Sequence, residues 1–78
     1  MTTRKLSNIP LKDFRTFLKK IGFTWISIEG GHEKWTKQNL TRPIIIQSHI
    51  DPIPEFIVKN NLRNLGLTKE DYFRIMQK

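Results

Sequence analysis

The chain contains no cysteine. Disulfides and thiolate metal sites are therefore excluded, and with them the usual staples of small secreted domains. Long apolar runs are also missing. Ile44-Ile45-Ile46 is as long as any, far short of the roughly 20 residues that span a membrane. The start Met1-Thr2-Thr3-Arg4-Lys5 is basic with no apolar segment behind it, so no signal peptide is expected and the cytoplasm is the default location. Acidic residues are scarce: seven Asp and Glu stand against fourteen Lys and Arg, a formal net charge of +7. Such a balance favours polyanionic partners through steering and counterion release.

What is present is enough for one small core. A chain of 78 residues leaves no room for a second, so residues 1–78 are read as a single domain of modest stability. The aromatics Phe14, Phe17, Phe23, Trp25, Trp35, Phe56, Tyr72 and Phe73 are spread along the chain, which argues against disorder.

Residues 1–8 read as a tail. Leu11, Phe14, Leu18 and Ile21 then fall at helical spacing, with Phe17 beside them, Pro10 suited to the first turn and Gly22 just past the end. Lys12, Arg15, Lys19 and Lys20 give this helix a basic outer face. Phe23 to Ile28 is β-branched and aromatic and reads as a strand. Gly30-Gly31 marks a turn, and His32 to Lys37 a second strand. On a period of two, His32, Lys34 and Thr36 share one face, and Glu33, Trp35 and Lys37 the other. Trp35 is assigned to the core. A turn over Asn39–Pro43 leads to a third strand, Ile44–Gln47, and a proline-rich loop runs from Ser48 to Pro54.

A second helix is expected from about Pro54 to just before Gly66. Val58, Leu62 and Leu65 form its buried stripe, with Phe56 and Ile57 widening it. Thr68 then caps a short final helix. Asp71 is a weaker version of the capping-box acid, and Leu67 is placed to staple onto Tyr72. The order α-β-β-β-α-α predicts a two-layer α+β domain. Its three-stranded antiparallel sheet has helices one and two on one face and the other face open.

Two residues stand out chemically. His32 follows two glycines at the mouth of a strand, where a ligand approaches closely. Histidine has the side chain whose ordinary pKa lies nearest neutrality, so it suits proton transfer. His49 follows the third strand and approaches His32 if the second and third strands pair. Two imidazoles would then supply the acid and the base that phosphodiester transesterification needs. No third ligand is placed to turn them into a metal site. Gly-rich phosphate loops and nucleophile elbows are absent from the sequence.

Phe17-Leu18-Lys19-Lys20-Ile21-Gly22-Phe23, Gly30-Gly31-His32 and Leu62-Arg63-Asn64-Leu65-Gly66-Leu67-Thr68-Lys69-Glu70-Asp71-Tyr72 come in an order and spacing that resembles the HicA family of toxins from toxin–antitoxin systems. The likeness covers about Leu11 to Met76. It implies a compact relative of the double-stranded RNA-binding domain and a metal- and cofactor-independent endoribonuclease that cleaves mRNA. It also implies inhibition by a HicB-like antitoxin. His32 matches the family's essential histidine. Lys34, Lys19, Lys20, Lys59 and Arg63 would hold RNA phosphates, and Gly30 and Gly31 would belong to the same RNA-binding set. The family has Gly-Ser-His where this chain has Gly30-Gly31-His32, so a hydroxyl is missing. Two other readings of the same residues are a non-catalytic RNA-binding module and a basic protein whose main role is to bind an acidic antitoxin.

Overall fold

The computed structural model describes residues 5–38 and 42–77. It runs α1 (Leu11–Lys20), β1 (Thr24–Glu29), β2 (His32–Thr36), β3 (Ile44–Gln47), α2 (Glu55–Leu65) and α3 (Lys69–Met76). The expected α-β-β-β-α-α order is the observed one. Asn39, Leu40 and Thr41 of the expected second turn lie outside the described residues.

Both long helices end the same way. Gly22 (φ 99°) and Gly66 (φ 73°) take backbone conformations that glycine accepts without strain. In each, two amides turn back on the last carbonyls: Gly22 N–H to Lys19 O and Phe23 N–H to Leu18 O, then Gly66 N–H to Arg63 O and Leu67 N–H to Leu62 O. Pro10 sits one residue outside α1, and the first amide of the helix donates to Asp51 Oδ1 at 2.9 Å. α3 opens on the complete capping box expected from Thr68 and Asp71.

The strands are ordered β1-β2-β3, with both pairs antiparallel. Glu29 pairs with His32 across a two-residue turn, and Gly30 (φ 56°) and Gly31 (φ 80°) both have positive φ, as a type I′ hairpin requires. A bulge between Trp25 and Ser27 kinks the edge strand β1. Trp35, Ile44 and Ile46 point into the core from β2 and β3, while Lys34, Ile45 and Gln47 alternate to the other side.

Trp35, Phe14, Phe17, Leu18, Val58 and Leu6 fill the centre. Phe17 lies 4.7 Å from the Tyr72 ring, centroid to centroid, and 5.8 Å from Phe14. Three expectations change here. Of the expected tail, residues 1–4 lie outside the described residues, while Leu6 is buried in the core and the Ile9 that follows bridges to Ile53 through a 2.9 Å hydrogen bond. Phe56 does not widen the buried stripe of α2 but is 65% exposed, because the helix turns it away from the sheet. The helical layer is also not built by two helices alone, since α3 packs against α1 and buries Tyr72. Among the described residues no helix is long and apolar enough to cross a membrane.

Burial of Tyr72, with a smaller contribution from Asp13, pushes its phenol up from 10.0 to about 12. The folded state thus prefers the neutral phenol. That preference stabilises the fold fully below pH 10 and is lost as pH rises toward about 12. Chemical denaturation at pH 9 and pH 11 is expected to show a drop in stability that Tyr72→Phe reduces. An equal drop in both proteins would count against this assignment.

Candidate active site

His32 opens β2 and is exposed. Its register partners are Glu29 on β1 and Gln47 on β3, so all three side chains project from the open face of the sheet. Lys34, with Ser27 and Ile45 beside it, lies two residues further along the same face, about 7 Å away at strand rise. Period-two alternation is what puts imidazole and ammonium together. The tight glycine turn sets the imidazole at the very end of the sheet.

The chain after β3 closes over that end. The Ser48 amide donates to Gly31 O at 2.7 Å, and the Ser48 hydroxyl donates to the same oxygen at 3.0 Å. His49 follows directly, and its ring covers Gly31. A Cβ built on Gly31 would stand 3.1 Å from His49 Nδ1 and 3.6 Å from Cε1. Gly31 is thus favoured twice, by its positive φ and by the imidazole above it, which a side chain here would push aside by a few tenths of an ångström. A serine there would be both strained and crowded, which is a physical reason for glycine at this position. The pairing of the second and third strands brings His49 against Gly31, the residue that precedes His32.

Beneath His32, on the opposite side of β2, lies a group the sequence reading missed. Glu33 is only 2% exposed. Arg15 Nε reaches both of its carboxylate oxygens at 3.1 Å, Arg15 Nη2 bonds Oε2, and Trp35 Nε1 donates to Oε1 at 3.1 Å. Burial works to raise the pKa of the Glu33 carboxyl, but the hydrogen bonds from Arg15 and Trp35 and the Arg15 charge outweigh it and leave the pKa lowered. The bond to Glu33 raises that of the Arg15 guanidinium, against its partial burial. Arg15 is therefore not part of a solvated basic face. The signal was available: Leu11, Phe14, Arg15 and Leu18 follow the i, i+3, i+4, i+7 stripe of a buried helix face. Glu33 likewise shares its strand face with Trp35.

The remaining cations are dispersed. Lys19 and Lys20 end α1. Lys19 lines a groove of about 520 Å³ with Arg15, Trp25 and Ile28, on the helix side of the sheet. Lys59 pairs with Glu55 at 3.1 Å on α2, and Arg63 is exposed one turn further on. Lys37 lies 6.0 Å from the Phe23 ring, bordering a hollow of about 900 Å³ lined also by Arg42, Asn61 and Asn64 and, among the described residues, by no histidine or carboxylate. Of the residues singled out in the sequence, Gly30, Gly31, His32, Lys34 and His49 gather at one end of the sheet, while Lys19, Lys20, Lys59 and Arg63 lie on the helical layer. Among the described residues, no three His, Cys, Asp or Glu side chains cluster as metal ligands.

Compared with protein families, curated proteins and solved structures, the chain matches none of them. The site's chemistry therefore rests on its own residues.

Proposed function

We propose that the protein is a metal-independent endoribonuclease of HicA type, with a fold related to the double-stranded RNA-binding domain. It would act as the mRNA-cleaving toxin of a toxin–antitoxin pair. The observation that carries this reading is the exposed His32 at the end of an open sheet face, with Lys34 on the same face of a +7 chain. RNA, unlike DNA, brings its own nucleophile, the ribose 2′-OH. His32 transfers a proton in the step where that oxygen attacks the neighbouring phosphorus, and Lys34 balances the charge on the phosphate. Expulsion of the 5′-oxygen leaves a 2′,3′-cyclic phosphate and a 5′-hydroxyl. Lys19, Lys20, Lys59 and Arg63 hold more distant phosphates. A HicB-like antitoxin inhibits by covering His32, so a complex that leaves this ring open to solvent would refute that part of the reading.

The test is cleavage of a long RNA in EDTA by wild type beside His32→Ala. A loss of at least about a hundredfold in the variant, with its melting temperature unchanged, is the expected result. Equal cleavage by both would remove His32 from the chemistry. RNA binding without cleavage by either would replace the enzyme by an RNA-binding module. Tight binding of an acidic antitoxin with no affinity for RNA at low salt would point to a protein whose work is that interaction.

A further inference from the structure

We propose that His49 is a second catalytic residue, so that two imidazoles divide the proton transfers of one phosphodiester cleavage. This deepens the ribonuclease reading above and rests on it.

The argument begins with where His49 is held. It lies two residues past the end of β3, yet its exposed ring does not extend away from the sheet. It lies against Gly31, the residue that precedes His32, close enough that a single methyl group on Gly31 would stand 3.1 Å from Nδ1. Four hydrogen bonds fix the segment that carries it. The Ser48 amide and hydroxyl both donate to Gly31 O, at 2.7 and 3.0 Å. The Ile50 amide turns back to Gln47 O at 3.4 Å, and Asp51 accepts the first amide of α1 at 2.9 Å. The loop is thus tied both to the hairpin and to a helix, and its histidine stays beside the strand end that presents the other histidine. Both rings have solvent access, as groups that must meet an RNA phosphate require.

The surrounding charges suit the assignment. Glu29 faces His32 from β1, Lys34 follows on β2, and the Asp51 carboxylate is engaged at the start of α1. Gln47 on β3 is neutral.

The step balances with two imidazoles and nothing else. One, neutral, takes the proton of the 2′-OH as the bond from O2′ to phosphorus forms. The other, protonated, gives its proton to O5′ as the bond from phosphorus to O5′ breaks. Proton exchange with water then resets both.

The experiment uses the full chain and a short oligoribonucleotide in EDTA, with His32→Ala, His49→Ala and His49→Gln beside wild type. Melting curves verify that each variant folds. The wild-type rate is expected to be bell-shaped in pH. Both His49 variants should lose about 10²–10⁴-fold in kcat with little change in KM, and one limb of the bell should disappear. A substrate with sulfur in place of the 5′-bridging oxygen needs no proton on its leaving group. It should therefore rescue one of the two alanine variants and not the other. Rescue of both or neither would reduce His49 to a positioning residue and overturn the proposal. Wild-type rates in both His49 variants, with His32→Ala inactive, would overturn it while leaving the ribonuclease reading intact. No cleavage by wild type would remove that reading and this one together.

Discussion

Trp35→Ala is expected to lower the unfolding free energy by about 3–5 kcal/mol, the usual cost of emptying a large aromatic site in a core. Trp35 is 1% exposed and sits at the centre of the packing with Phe14, Phe17, Leu18 and Val58. Its indole N–H also donates to Glu33 Oε1 at 3.1 Å, so truncation removes one of the partners that keep a buried carboxylate tolerable. A chain of this length has a total stability of roughly 4–12 kcal/mol, so the loss is at least about a quarter of the total and all of it at the low end. The control is its own cross-strand partner. Trp25 pairs with Trp35 in the β1–β2 register and points to the same side of the sheet, but it is 47% exposed because it lies on the edge strand. Trp25→Ala should cost about 1 kcal/mol or less. Denaturant titration of the two variants decides it, and similar losses in both would mean that the core is not centred on Trp35.

Arg15→Ala is expected to cost about 3 kcal/mol, at the low end of the range for stripping a buried charge of its partner. The figure is at the low end because the Arg15 side chain is 38% exposed, so water can partly replace it once it is gone. Glu33, whose side chain is 3% exposed, would keep its charge or take up a proton to escape the cost. The pH dependence follows from the same pair. The pKa of Glu33 is lowered in the folded protein from an ordinary value of 4.5. Its contribution is therefore present above pH 4.5 and disappears as pH falls through the lower folded value. Wild type should lose stability in that acid range, and Arg15→Ala should lose less there because the interaction is already broken. Parallel curves for the two proteins down to low pH would show that the Arg15–Glu33 pair does not carry the acid sensitivity. Replacing both residues together by apolar ones of similar volume should recover much of the loss, since the penalty lies in the orphaned charge.

Much of this architecture was legible in the chain because it is local. Glycine after an apolar helical stripe ends α1 and α2, Gly30-Gly31 makes the hairpin, and Thr68 with Asp71 caps α3. These signals act within a few residues and need no knowledge of what lies across the molecule. Alternation in β2 also separated His32 and Lys34 from Trp35 correctly. Leu6 was different. Nothing in Leu6-Ser7-Asn8-Ile9 is periodic, and only the distant Ile53 shows that the segment is held in place.

The sequence by itself determined the order of elements, the hairpin that ends in His32 and the charge of +7 on which the RNA reading rests. The tertiary structure alone decided which charges stay in water and what His49 lies against. Arg15 and Glu33 are far apart in the chain and meet only when α1 packs across β2, because a buried carboxylate is tolerated only with a partner of opposite sign. His49 reaches Gly31 only because β3 pairs with β2 and the Ser48 amide continues that ladder by one bond. Local spacing specifies a helix or a strand through short-range sterics and hydrogen bonds. Contacts between such elements depend on how their faces pack, and that is set by the whole core at once.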